Sequence, residues 1–332
     1  MEYLHIYHAE VPAIIQRLCE TPAMQRLQKV GMNCGCEYTS FPRFLRCGTY
    51  SRYEHSLGVG LIVWHFTHDE KQAAAGLLHD ISTPVFAHVI DFLNGDHLTQ
   101  ESTELDTRAV ILHSPEIMAV LHQHGLTADD VSDYHLYPIA DNDTPHLSAD
   151  RLEYTLGNAL HYGFADESTV QAMYDDLTVE KNEEGQDELT FRTRQTALLF
   201  AETALRCSKV YVSDEDRFSM EALAHLLKDA LSRGVLSRSD LQTTEDAVIE
   251  KLLRDEKSVS AWRTFRAYAV LHSDPAPRND RLCYRVDAKK RHINPRICGQ
   301  GRVKDLFPQF AESLSAFLSL PFDQWLWAAE LP

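Results

Sequence analysis

The stretch that most constrains this chain is Gly76 to Asp91, GLLHDISTPVFAHVID. An apolar run from Ala73 to Leu78 is closed by His79 and Asp80, so a buried helix would deliver an imidazole and a carboxylate side by side at its end. That pair suits a divalent Mn, Fe, Zn, Ni or Mg ion better than a soft, thiolate-seeking one, and it leaves coordination positions to be filled from elsewhere. The candidates are His55 upstream, in SRYEHSLG, and Asp150 downstream, in SADRLEY, each beside helical apolar spacing. A His-Asp dipeptide says little alone in a chain with 17 His, so the flanking segments have to carry the argument.

Those segments are mostly helical. Val11, Ile14, Ile15 and Leu18 recur at helical spacing, and Thr21-Pro22 supplies a cap and a proline for a second helix through Met24, Leu27 and Val30. Residues 33–50 lose the period and read as a loop bearing Arg43 and Arg46, with Arg52 following three residues before His55. Arginine forks there would suit phosphate oxygens. Two buried helices are expected next, residues 56–67 and 71–79. Ser82-Thr83-Pro84 then predicts a helix restarting at about residue 84, with His88 and Asp91 on one face.

Gln100, Glu101 and Glu104 follow in a polar stretch, an amphipathic helix is expected from Ala109 to Leu121, and residues 132–146 read as a loop without EF-hand spacing. Ser148 caps a helix whose Asp150, Tyr154 and Asn158 share a face. The clearest strand pattern is a hairpin over residues 177–193. Helix returns over 195–254, with breaks at Ser213 and Ser219. Residues 278–302 carry Lys289, Lys290, Arg291, Arg296 and Arg302, a basic segment open to two readings, a phosphate or effector site or a surface arm.

Composition bounds the function. At 332 residues one large body or two of ordinary size can form, and one compact body is expected. No apolar run approaches the roughly 20 residues that span a bilayer, and the N-terminus lacks a secretory pattern, so a cytoplasmic location is expected. Seven Cys without CxxC spacing read as reduced thiols. A net charge of −17 repels a polyphosphate backbone, which argues against long nucleic acids but not against a small anionic substrate held by a metal and a few Arg or Lys.

Taken together, the segments TPAMQRLQKV, SRYEHSLGV, GLLHD, PVFAHVID and DRLEY, in that order, resemble the HD-domain phosphohydrolases, and most closely their deoxynucleoside triphosphate triphosphohydrolase branch. The likeness is strong over residues 20–160 and fainter over 195–302. It implies an all-α, mainly helical HD-domain fold with a minor β-hairpin near 177–193. The expected division is a phosphohydrolase core at 1–170 and a helical extension at 171–332 packed on it. Position by position, it implies that His55, His79, Asp80 and Asp150 bind one divalent metal ion and that Arg52, Arg151 and Tyr154 hold phosphates. His88, as phosphate ligand or proton donor oriented by Asp91, is implied beside the scissile bond. A homo-oligomer is implied as well.

Two positions depart from the branch: Thr83 and Gln100 stand where it has histidines, and neither side chain titrates near neutral pH. The expected function is therefore metal-dependent hydrolysis of a nucleotide or related small phosphate ester by a metal-activated water. A weakly catalytic, nucleotide-binding regulator and a cyclic-nucleotide phosphodiesterase are the alternatives.

Overall fold

The computed structural model describes residues 2–95 and 107–330, with side chains from Leu4 onward. Its first helices are α1 (Ala13–Cys19) and α2 (Pro22–Arg26). Ile14, Ile15 and Leu18 of α1 are fully buried, each contributing about 1.5–3 kcal/mol relative to an exposed position. After a loop come α3 (Arg52–Thr67) and α4 (Glu70–Leu78), which pack on one another along most of their length. α3 starts a turn before the apolar run because Ser51 and Glu54 form a reciprocal capping box. Asp69 caps α4, accepting from Lys71 and Gln72.

The next helix, α5 (Val89–Asn94), begins five residues later than Pro84 would place it. Phe86 and Ala87 have φ of 58° and 45°, so the left-handed backbone at this point interrupts any helix starting at the proline. The helix expected over 109–121 is also two, α6 (Thr107–His113) and α7 (Pro115–Gln123), because Ser114 caps a fresh start with Pro115 at its first position. Then follow α8 (Ala128–Val131), α9 (Ala149–His161) and α10 (Glu167–Asp175). Gln100, Glu101 and Glu104 lie outside the described residues.

The expected hairpin is present as β1 (Leu177–Lys181) and β2 (Asp187–Phe191), antiparallel with Leu177 opposite Phe191. Helices α11 (Arg194–Tyr211), α12 (Asp214–Ser232), α13 (Glu245–Leu253) and α14 (Glu256–Ala267) follow. Ser213 caps α12 as expected, whereas Ser219 is buried inside it and breaks nothing. Among the described residues four further strands were hidden from sequence by their brevity or lack of alternation; the first three are β3 (Tyr268–Asp274), β4 (Arg296–Ile297) and β5 (Gly301–Arg302). β4 joins the hairpin in parallel with β2 and pairs antiparallel with β5. Helices α15 (Val303–Leu306) and α16 (Pro308–Leu318) precede β6 (Trp325–Glu330), which pairs with β3.

The fold is mainly helical with minor β elements, as the sequence predicts. Two apolar cores fill it, one around α1, α3, α4, α9 and α11, the other around Phe86, α12, α13 and α14, and each draws on both sides of residue 170. Among the described residues no helix is long and apolar enough to cross a membrane.

Candidate metal centre

Three helices converge on one cluster of donor atoms. Nε2 of His55, on α3, lies 3.2 Å from Nε2 of His79, at the end of α4, and 3.1 Å from Oδ1 of Asp150, on α9. His79 Nε2 is 3.6 Å from both Asp80 Oδ2 and Asp150 Oδ1, and His55 Nε2 is 3.8 Å from Asp80 Oδ2. The sequence-predicted metal ligands His55, His79, Asp80 and Asp150 are thus brought together. Neighbouring donors around an ion at about 2.0–2.2 Å sit roughly 3–3.5 Å apart; the His55–His79 and His55–Asp150 separations match that spacing and the other three, at 3.6–3.8 Å, are slightly wider.

Each donor is oriented from behind. His55 Nδ1 is 2.6 Å from Oε2 of Glu153, a fully buried carboxylate that also accepts from the Tyr50 hydroxyl at 2.5 Å. His79 Nδ1 donates to the Gly76 carbonyl at 2.7 Å. Each imidazole therefore holds a proton on Nδ1 and turns Nε2 inward, leaving that nitrogen as the one that would face a metal. Asp80 accepts from Arg52 Nη1 on Oδ2, at 2.8 Å, and from the Thr83 hydroxyl on Oδ1, at 2.7 Å. Thr83, which stands in place of a histidine, thus buttresses a metal-type carboxylate.

Glu153 has room to do this because Gly58 of α3 has no side chain: a Cβ there would fall 2.5 Å from Glu153 Cγ.

The electrostatics agree with the geometry. Burial alone would lower the His55 pKa, yet its hydrogen bonds to Asp150 and Glu153 outweigh that and raise it to about 10. Burial would raise Asp80, yet Arg52, His79 and His55 hold it well below the usual carboxylate range. Two lone pairs facing each other beside two carboxylates call for a cation, and in its absence a proton takes that place.

The donors open into a cavity lined by three cationic side chains, Arg52, Lys289 and Arg291, and by Tyr134, Tyr154, Tyr162 and Tyr211. Tyr154 and Asn158 reach it from the same face of α9 as Asp150. His88 also lines it. Its Nδ1 lies 2.9 Å from Oδ2 of the fully buried Asp91, and its Nε2 lies 3.5 Å from Arg291. Burial lowers the His88 pKa, with Arg291 and Arg52 adding to the effect against Asp91. Its Nε2 faces Arg291, so the ring can accept a hydrogen bond there.

Arg151 is not among the side chains lining the cavity. Expected at the phosphates, it turns away from the cavity: Nε donates to the His146 carbonyl at 2.8 Å and Nη2 bonds Asn142 and lies 3.1 Å from Asp141. Three acceptors on the preceding loop outcompete a solvent-facing pose. Arg43 and Arg46 are on the surface, leaving Arg52 as the arginine of that group lining the cavity.

Sequence reasoning missed Glu153, whose signal was a charged residue on the buried side of α9. It left the basic segment undecided, and the structure divides that segment. Lys289 and Arg291 line the cavity, Lys290 donates to the carbonyls of Leu318 and Leu320, and Arg296 and Arg302 pair with Glu183.

No family model matches the chain. An uncharacterised protein of Bacillus subtilis, YdhJ, is 28% identical over 251 residues, 75% of this chain and 73% of that protein. The metal-dependent phosphohydrolase cns2 of Cordyceps militaris is 26% identical over 300 residues, 87% of this chain and 81% of it. The human deoxynucleoside triphosphate triphosphohydrolase SAMHD1 is 28% identical over a shorter span of 147 residues, 37% of this chain and 22% of that one. Among solved structures, a phosphohydrolase from Bacteroides thetaiotaomicron shares the fold with a TM-score of 0.60 over 97% of both chains, at 14% identity. With the ordered motifs and the helical fold, these similarities lead to one conclusion: the chain is similar to metal-dependent phosphohydrolases and resembles the HD-domain superfamily, most closely its deoxynucleoside triphosphate triphosphohydrolase branch.

Proposed function

We propose that this protein hydrolyses a nucleotide or a related small phosphate ester, using a water activated by one divalent metal ion held by His55, His79, Asp80 and Asp150. The observation that carries the reading is the meeting, in one cavity, of that donor cluster with Arg52, Lys289 and Arg291 and a set of tyrosine rings. A bound divalent ion would lower the pKa of water and polarise a phosphoryl oxygen.

The remaining work falls to the chain's own groups. Glu153 and the Gly76 carbonyl hold the imidazoles in register, while Arg52 and Thr83 fix the Asp80 carboxylate. Lys289 and Arg291 offset phosphate charge that an acidic protein would otherwise repel. His88, neutral and fixed by Asp91, offers Nε2 to a proton or a phosphate hydrogen bond, which suits general acid-base work. Tyr154, Tyr162 and Tyr211 present flat faces for a base or sugar. The triphosphohydrolase name of SAMHD1 and the phosphohydrolase name of cns2 support the same class of substrate. Homo-oligomerisation belongs to the same proposal.

The test is to purify the protein without chelator, measure bound metal, and assay phosphate, pyrophosphate and triphosphate release from a nucleotide panel with Mn or Mg. Release that requires metal and disappears in Asp80→Ala supports the reading, and the species released names the bond cut. Bound metal with no release from any nucleotide would overturn the nucleotide assignment.

A further inference from the structure

Glu245 is the first residue of α13, far from the metal donors in sequence and 3% exposed. Its Oε1 accepts from two backbone amides belonging to different parts of the site, Gly31 at 2.9 Å and Phe86 at 3.2 Å, while Oε2 accepts the Tyr38 hydroxyl at 2.7 Å. Gly31 bridges to Ser51, and the flanking bonds from Met32 to the Tyr50 carbonyl and from Arg52 to the Val30 carbonyl extend that pairing. This is the lead-in to α3, which carries Arg52 and His55. Phe86 and Ala87 form the left-handed turn immediately before His88.

Local bonds close the turn, Ala87 donating to the Pro84 carbonyl and Val89 to that of Phe86, each at 3.0 Å, but the residue types do not favour a left-handed pair. Neither is Gly, Asn or Asp, and such a conformation persists only where its surroundings over-determine it. The surroundings are identifiable. Val85 donates to the Leu241 carbonyl at 2.9 Å, and Arg26 Nη2 donates to the Ile81 and Thr83 carbonyls at 3.0 and 2.8 Å. Arg26 Nη1 meanwhile reaches the Thr243 carbonyl at 3.2 Å, on the approach to α13. These bonds locate the segment, but the amide of Phe86 itself is held by Glu245. A Cβ on Gly31 would fall 1.9 Å from the neighbouring Glu37 carboxyl, so glycine is needed there to leave room for Glu37 beside this contact.

We infer that Glu245 is a positioning residue: one carboxylate oxygen ties the lead-in of α3 to the Phe86–Ala87 turn, and so sets His88 against the donors carried by α3. The inference rests on the proposed role of His88 in hydrolysis. It gives residues 171–332 a part in the site beyond lining it.

The test compares Glu245→Gln, which keeps an acceptor at the Oε1 position, with Glu245→Met, which keeps the length and removes it. Glu245→Asp, too short to span both amides, serves where the methionine variant does not fold. Thr244→Ala is the control, since it removes the α13 cap while leaving the Glu245 bonds in place.

Amide hydrogen exchange is read first because it needs no turnover. In Glu245→Met or Glu245→Asp the Phe86 amide should exchange at least about tenfold faster relative to Val85, while Glu245→Gln and Thr244→Ala stay within about threefold of wild type. With an active substrate, kcat should fall about tenfold at a KM within about twofold and unchanged metal content, with the glutamine variant restoring most of it. Uniform acceleration of exchange across the chain, or loss of kcat in Thr244→Ala equal to that in Glu245→Met, would overturn the inference. A wild-type protein without turnover would count against the proposed function alone, and the exchange result would still decide whether Glu245 holds the turn.

Discussion

Among the described residues, two clusters of histidine and carboxylate have donor atoms close enough to share an ion, and only one of the two has the electrostatics of a metal site. In the first, His55 and His79 point lone pairs at each other beside Asp80 and Asp150, with Arg52 bonded to one of these carboxylates. In the second, His146 stands near Glu183 and Glu188, but Arg302 forks onto both Glu188 oxygens at 3.0 Å and reaches Glu183 at 2.6 Å. Arg296 adds a further contact to Glu183 at 2.8 Å, and these arginines hold the Glu183 pKa down at about 2 against burial. The second cluster has its cations built in. Donor count and distance do not make a metal site; an uncompensated set of lone pairs does.

A third buried pair, Glu37 and Glu245, is offset in yet another way. Burial, reinforced by Glu245, raises the Glu37 pKa to about 8, so a proton takes the part that a metal or an arginine takes elsewhere.

Removing a donor tests this contrast most severely. Asp80→Ala should lose bound metal, and turnover should drop by about 10³-fold or more, since a metal's transition-state contribution is several kcal/mol. Circular dichroism should stay native, and metal retained at full stoichiometry would break the assignment.

The converse change is Glu188→Gln, which removes one of the two carboxylates paired with Arg302 and leaves Glu183. It should cost about 1.5–3 kcal/mol in denaturant unfolding, the worth of a hydrogen bond to a charged group, while metal content stays at the wild-type value. Loss of metal from this variant would mean that the two clusters had been assigned the wrong way round.

Behind the donors, Glu153→Gln should weaken metal affinity about 10–100-fold in a competition titration without abolishing it, because the His55 tautomer is then less strongly held. An unchanged affinity would show that Glu153 serves packing alone.

The last test concerns the proton-neutralised pair. Glu37 has a higher pKa folded than unfolded, so the folded state binds more protons, and stability falls as pH rises from the ordinary carboxylate range through about 8. A tenfold difference in proton affinity between the two states corresponds to about 1.4 kcal/mol, and Glu37→Gln should flatten this loss in thermal melts between acid and alkaline pH. A slope that survives the substitution would place the titrating group elsewhere.

Much of the site was legible in sequence because local order carries it. His79 and Asp80 are adjacent, Asp150, Tyr154 and Asn158 are four apart on α9, and His88 and Asp91 are three apart and bond even though the helix between them starts late. The hairpin at 177–193 was legible for the same reason, its register being set by its own short turn. The direction of Arg151 was not legible, because it depends on competing acceptors, here a loop whose path no local pattern reveals.

The sequence by itself determined which residues carry ligand-type chemistry, and the helical periods that bury the segments holding them. Only the tertiary structure decided how each carboxylate is neutralised. It brought Arg302 to Glu188 across 114 residues, His55 to Glu153 across 98, and Glu245 to Phe86 across 159. Charge compensation in a low-dielectric interior depends on distance in space, and these distances are created when helices pack, so no spacing along the chain encodes them.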